Sequence, residues 1–252
     1  MKKMKKLVVG NWKMNPQTVS EAKKIVSTIK KGVKKIKKTQ IVMCPPYIYM
    51  SPLSSFVSNS LLLGAQNSFY EQFGAFTGEV SFSQLHQFGV SYVIVGHSER
   101  RAMGETDKIV NKKVQSIVGE GMTAVLCVGE KTRDVHGEYL SFVREQIISG
   151  TKDVSKKLVD HIVIAYEPLW AIGAKTAMTS GDIHEMYIFI KKVLLETHGP
   201  IADSVKILYG GAVSSENAED IMKNGFVNGL LVGRDSINTS NFLEIVKLVE
   251  KN

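Results

Sequence analysis

The sequence has no apolar run approaching the ~20 residues that span a bilayer, so no transmembrane helix is predicted. Its opening, Met1-Lys2-Lys3-Met4-Lys5-Lys6, carries the charge of a secretion signal without its core. Only Leu7-Val8-Val9 follows, against the roughly 7–15 apolar residues such a core needs. A cytoplasmic location, with no membrane partner, is the expectation. Cysteine is nearly missing: Cys44 and Cys127 stand too far apart for a zinc or redox pattern and read as inert reduced thiols. No Pro/Gly/Ser-rich linker or low-complexity tract divides the chain, so its 252 residues are expected to form one domain, 1–252. Acid is scarce at one end. Residues 1–38 hold 13 lysines and one acid, Glu21, a net +12, which leaves the rest at −4 within a whole-chain +8. Charge confined to one end and one helix predicts a solvated face rather than a nucleic-acid site.

What is present is a rhythm. Short apolar, β-branched runs recur at Leu7–Gly10, Ile41–Cys44, Leu61–Ala65, Tyr92–Val95, Thr123–Val128, Ile162–Tyr166, Lys206–Tyr209 and Gly229–Val232. They are nearly continuous rather than alternating, as strands covered on both faces are. Helical spacing fills the gaps. Thr18-x-x-Glu21 reads as a capping box, Asp107 as the start of a helix closed by Gly121, and Ser215 as the residue before a helix 216–224 closed by Gly225. Eight strand–helix units in this length predict an α/β fold, a (β/α)8 TIM barrel; a doubly wound open sheet is the rival.

In a barrel the chemistry sits where the strands end. Asn11-Trp12-Lys13 follows the first run, His97-Ser98-Glu99 the fourth, Glu130 the fifth and Glu167-Pro168 the sixth. Tyr209-Gly210-Gly211 ends the seventh and Gly233-Arg234 the eighth. A carboxylate can take a proton from carbon, while a neutral histidine and a lysine stabilise the oxyanion that results. Glycine turns offer backbone N–H groups to a phosphate. Each piece has a plainer explanation: a glutamate paired with arginine, a glycine turn that is only a turn, His161 and His184 as ordinary structure. It is their joint occurrence at strand ends that points to catalysis.

Five segments then carry a family resemblance, in family order over nearly the whole chain. Gly10-Asn11-Trp12-Lys13-Met14-Asn15, Gly74-Ala75-Phe76-Thr77-Gly78-Glu79, Gly96-His97-Ser98-Glu99-Arg100-Arg101, Ala165 through Gly173, and Tyr209-Gly210-Gly211 resemble the signatures of the triosephosphate isomerases. The resemblance implies interconversion of dihydroxyacetone phosphate and D-glyceraldehyde 3-phosphate without metal or organic cofactor. It implies Glu167 as base, His97 as neutral electrophile, Lys13 as fixed cation, Asn11 as orienting group and Glu99 as the anchor of Lys13. Gly173, Ala212, Gly233 and Arg234, with Asn11 and Lys13, would hold substrate and phosphate. Pro168-Leu169-Trp170-Ala171-Ile172-Gly173-Ala174-Lys175-Thr176-Ala177-Met178, running on to Thr179, would form a closing lid supported by Tyr209 and Glu130. Phe76 and Thr77 would dock into a second copy to make a homodimer.

Two positions and one segment depart from the family pattern. Ala212 stands where a serine is usual, Arg234 where a second glycine is frequent, and the lid runs Gly173-Ala174-Lys175-Thr176-Ala177-Met178 instead of Gly-Thr-Gly-Lys-Thr-Ala. Two other functions compete: a Schiff-base aldolase using Lys13, and a barrel without catalysis kept as a scaffold through its basic helix.

Overall fold

Eight apolar runs solve a single problem, that a sheet buried on both faces must be covered on both. The structure, a computed structural model, describes residues 4–56, 58–171 and 178–252. Its strands are β1 (Lys6–Asn11), β2 (Thr39–Cys44), β3 (Leu61–Ala65), β4 (Val90–Val95), β5 (Thr123–Val128), β6 (Ile162–Tyr166), β7 (Lys206–Tyr209) and β8 (Gly229–Val232). Each pairs in parallel with the next, and β8 returns to β1 with Leu7 opposite Gly229 and Gly10 opposite Val232, so the sheet closes into a barrel. The open-sheet rival is thereby excluded. Closure leaves no sheet edge to protect.

Along each strand the side chains alternate between two cores. Leu7, Val9, Val42, Ile94, Val125, Cys127, Val163, Ala165, Leu208 and Leu231 fill the barrel. Their neighbours Val8, Ile41, Met43, Val93, Ala124, Leu126, Ile164 and Leu230 pack outward. There they meet the helices α1 (Val19–Gly32), α2 (Met50–Ser54), α3 (Phe82–Gln87), α4 (Ser98–Ala102), α5 (Asp107–Gly119), α6 (Glu138–Gly150), α7 (Ser180–His198), α8 (Ala218–Asn224) and α9 (Thr239–Lys251). No helix among the described residues is long and apolar enough to cross a membrane.

Five of the eight runs coincide with strands end to end; β1, β2 and β4 begin one or two residues earlier than their apolar runs. Helix starts differ more from the sequence expectation. At α1 only half of a capping box forms: Thr18 Oγ1 accepts from Glu21 N (3.2 Å), but the Glu21 carboxylate takes the Thr18 hydroxyl rather than its backbone N–H. The complete box belongs to Ser81 and Gln84 at α3. Thr106, not Asp107, caps α5, accepting from Ile109 N. α8 starts at Ala218 rather than 216, because Asn217 Oδ1 turns back to accept from Ser214 N (2.9 Å). Gly225 ends α8 with φ −82°, an ordinary right-handed value. Cys44 and Cys127 are free and buried, and burial pushes both thiols well up from their usual range.

Candidate active site

The strand ends converge on a cavity of about 710 Å³ whose walls include Asn11, Lys13, His97, Glu167, Gly210, Gly211, Ala212, Gly233 and Arg234. The side chains that could do acid–base chemistry and the glycine turns that could bind phosphate therefore share one volume, as the strand-end argument predicts.

Lys13 lies two residues beyond β1 in a left-handed conformation, φ +54°, which costs a residue with a Cβ about 1 kcal/mol or more. The turn is over-determined. Asn11 Oδ1 accepts from Lys13 N (3.1 Å), and Gln66 Nε2 donates to both Lys13 O (2.7 Å) and Cys44 O (2.9 Å). The turn sends the Lys13 ammonium to Glu99 Oε1 at 2.6 Å. Gln66 escaped the sequence reading, although it stands directly after β3 and the strand-end rule would have flagged it.

His97 caps α4. Glu99 N donates to its Nδ1 (3.2 Å), which makes that nitrogen an acceptor and leaves Nε2 to carry the proton. Nε2 faces Glu167 Oε1 at 3.3 Å, and both side chains are almost fully buried. Glu167 follows β6, and its backbone N donates to Val128 O (2.8 Å). Its side chain has room because residue 210 is glycine: a Cβ there would lie 2.9 Å from Glu167 Cγ. A nearly dry carboxylate facing an imidazole N–H, with an ion-paired lysine on the same wall, can take a proton from carbon and stabilise the charge left behind.

On the side of the glycine turns, Gly233 is the N-cap of a single 3-10 turn, Arg234–Ser236. Ser236 Oγ donates to Asn11 O (3.1 Å), tying this turn to β1. Ala212 follows the Gly210-Gly211 pair, and its carbonyl accepts from Asn217 Nδ2 (2.8 Å).

The chain after Glu167 is anchored at its start. Glu130 Oε1 accepts from Tyr166 Oη (2.8 Å) and Trp170 Nε1 (2.9 Å), and Leu169 N donates to Glu130 O (2.9 Å). Arg133, unmarked in the sequence reading, pairs with Glu130 and Asp182 and lies over the Trp170 ring. Pro168 and Ala171 are buried, Trp170 is exposed, and Met178 is buried. The lid residues Ile172, Gly173, Ala174, Lys175, Thr176 and Ala177 lie outside the described residues. Burial and the neighbouring Glu130 charge push the Tyr209 hydroxyl up to about 12, against the lowering influence of the Ala212 and Met178 backbones.

Phe76 and Thr77 sit in a stretch, 71–79, that is exposed throughout. Phe73 is 85% exposed. Phe76 is partly covered by its own chain, its ring 4.6 Å from that of Phe69. A second cavity, about 210 Å³, adjoins the first and is lined by Lys13, Tyr47, Gln66, Glu99, Arg100 and Met103 among others. His184 contacts the rings of Phe226 and Tyr187, far along the chain from any strand end, as an ordinary structural histidine does.

A family profile described as triosephosphate isomerase matches residues 6–249. A triosephosphate isomerase of Endomicrobium trichonymphae is 40% identical over 96% of this chain and 98% of its own length. One of Aquifex aeolicus strain VF5 is 39% identical over 96% and 99%. One of Natranaerobius thermophilus is 37% identical over 97% and 96%. With a closed eight-stranded parallel barrel and a strand-end site on the same chain, the match of sequence is also a match of architecture: this chain belongs to the triosephosphate isomerase family.

Proposed function

We propose that this chain interconverts dihydroxyacetone phosphate and D-glyceraldehyde 3-phosphate in one (β/α)8 domain, as a cytoplasmic enzyme of glycolysis and gluconeogenesis that needs no cofactor. The observation that carries the residue roles is the 3.3 Å approach of Glu167 Oε1 to His97 Nε2 at the cavity wall. Glu167 removes a proton from C1 of the ketose, and the C–H electron pair becomes the C1–C2 double bond as the carbonyl oxygen takes the charge. The His97 Nε2–H and the Lys13 ammonium stabilise that enediolate, and donors so placed are typically worth ~2.7–4 kcal/mol each. Glu167 then returns the proton to C2 while the C1 hydroxyl proton passes by way of His97 to the C2 oxygen, so C1 becomes the carbonyl, C2 carries the hydroxyl and the aldose results. Asn11 orients the substrate and Glu99 anchors Lys13. The backbones at Gly173, Ala212, Gly233 and Arg234 hold the phosphate. The lid from Pro168 to Met178 excludes water, which would otherwise favour loss of phosphate from the enediolate.

Lys13 favours this reading over a Schiff-base aldolase. A Schiff-base lysine needs an apolar pocket or a second cation beside it, whereas Lys13 is partly exposed and paired with a carboxylate. The homodimer belongs to the same proposal. Exposed Phe73, with Phe76 and Thr77, supports a loop that enters the partner's smaller cavity beside Lys13 and Glu99.

The test is consumption of D-glyceraldehyde 3-phosphate by the purified protein in a coupled assay, with borohydride trapping in parallel. Rapid isomerisation without a trapped adduct is expected. A trapped substrate–lysine adduct, or no turnover, would overturn the proposal.

A further inference from the structure

Behind His97, outside the catalytic cavity, lies a charged cluster that the proton-transfer scheme leaves idle. Glu105 and Lys113 are both buried and ion-paired through Glu105 Oε1 and Lys113 Nζ. Lys113 also donates to Asn67 Oδ1 (2.7 Å). A buried pair of this kind is weak evidence for stability, since desolvation offsets much of its attraction. Its free oxygen makes a more informative contact: Glu105 Oε2 accepts from Gly96 N at 3.2 Å.

Gly96 sets the direction in which the chain carries His97 away from β4. Its φ is +66°, a left-handed value that glycine adopts freely, and it joins the end of β4 to the N-cap of α4. Its carbonyl accepts from Arg101 Nε (2.7 Å), while Arg101 Nη1 is held by Asp107 (2.6 Å). The glycine is therefore gripped at its N–H by Glu105 and at its C=O by Arg101. A change in either torsion at this glycine would carry the His97 ring away from Glu167. The cluster also reaches the other electrophile, because Asn67 adjoins Gln66, whose amide holds Lys13 O.

We infer that Glu105, kept as a charged acceptor by Lys113, is a positioning residue for His97: it fixes the Gly96 torsions so that Nε2 meets the reacting oxygens. The inference rests on the isomerase reading of the site. Misplacement of a catalytic group by about 1 Å can cost ~10²-fold in rate. The effect should fall on kcat rather than KM, since the phosphate contacts lie at the other wall of the cavity.

The test compares two double variants. Glu105→Leu with Lys113→Met removes the acceptor and both charges of the buried pair; Arg100, whose Nε lies 4.0 Å from Glu105 Oε1, is left without that partner, but its side chain is 43% exposed and open to solvation. Glu105→Gln with Lys113→Met also removes both charges but keeps an amide oxygen for Gly96 N–H. The first should lose about 10- to 100-fold in kcat with KM within about twofold of wild type, and the second should recover most of that loss. In 15N spectra of the imidazole, the His97 Nδ1 signal of the first variant should move toward that of a free ring, while the second stays at the wild-type position. Equal kcat in the two variants with unchanged His97 signals, whatever their melting temperatures, would overturn the inference and leave the cluster a structural role only. An inactive wild-type protein would overturn the isomerase reading, and the His97 signals would still decide the positioning claim. If the leucine variant does not fold, Glu105→Gln alone takes its place. Lys113 then claims the amide oxygen and the NH2 faces Gly96 N–H, so kcat should fall and adding Lys113→Met should restore it; no difference between them would overturn the claim.

Discussion

In the proposed reaction the most specific demand falls on Glu167, because a carboxylate that takes a proton from carbon must be unprotonated, desolvated and aimed. Its environment supplies the last two: it is 3% exposed and shares its cavity wall with His97. Glu167→Gln keeps the volume and the contact with His97 while removing the proposed base. The expected result is a fall of several orders of magnitude in kcat with substrate affinity nearly kept, measured by steady-state kinetics and by calorimetric titration of a substrate analogue. Retention of more than about a tenth of wild-type kcat would put the base elsewhere. Residues of this kind were legible in the sequence because polar groups stand out directly after apolar runs. Glu105 and Arg101 were not, because they act on the backbone of Gly96, nine and five residues away, and no residue type signals such a contact; Gln66 does stand directly after β3, but its reach to the Lys13 and Cys44 carbonyls leaves no mark in the sequence. The left-handed Lys13 was hidden for a related reason: lysine has no preference for that conformation, and Asn11 and Gln66 impose it from outside.

At the scale of elements, strands were readable nearly to the residue because burial on both faces writes continuous apolar text, and turns of polar residues end it. Helix starts were not, since a cap depends on which neighbouring oxygen points back at the first turn, as Thr106 and Asn217 illustrate. Contacts between elements were silent as well. Glu250, in the last turn of α9, accepts from Lys37 N (2.9 Å), Lys38 N (3.0 Å) and Thr39 Oγ1 (2.8 Å), and so anchors the chain entering β2. Burial raises its carboxyl, but those N–H and hydroxyl donors and the Lys38 charge outweigh it, and the net shift is downward. A lowered folded-state value means that the folded protein binds this proton less tightly than the unfolded chain. The contribution is therefore present above the ordinary glutamate range and is lost as pH falls through the lower folded value. Glu250→Gln should cost about 1 kcal/mol at pH 7 after allowance for solvent screening, or roughly 2–4 °C in Tm for a domain of this size. The gap should close on acidification toward pH 3. A gap that stays constant across that range in calorimetric scans would show that shape, not charge, is what Glu250 supplies.

The whole molecule has a polarity that composition alone does not reveal. Strands begin at one end of the barrel and finish at the other, and the lysines of the last turn of α1 and of the segment before β2 belong to the end where strands begin. Lys34 and Lys37 are exposed, and Lys30 lies 5.9 Å from the Phe56 ring centre. With the candidate site at the opposite end and exposed charge screened beyond ~10 Å at 0.1 M salt, changing Lys30, Lys34 and Lys37 together to Gln should leave kcat/KM nearly unchanged. A large loss in the coupled assay at physiological salt would mean that this face steers the substrate. Assembly is a different matter, because the proposed dimer brings a second chain to the active end. The stretch 71–79 is exposed, with Phe73 85% bare, an uncomfortable surface for a monomer. The cavity suited to receive it is lined by Lys13, Glu99 and His97, so a docked loop would close one side of the catalytic wall and restrain the Lys13–Glu99 pair. In the proposed dimer Thr77, small and neutral, would lie beside that pair; an arginine there would bring a second cation toward Lys13 into a site being dehydrated, where an uncompensated charge costs several kcal/mol. Thr77→Arg should therefore shift the protein to monomers in light scattering and lower kcat/KM in parallel, with both losses relieved as protein concentration rises. The fold should survive, because residue 77 is exposed within its own chain and no core side chain rests on it. A monomer with full activity would separate assembly from catalysis and defeat this account of the loop, and an unchanged dimer would show that the interface lies elsewhere.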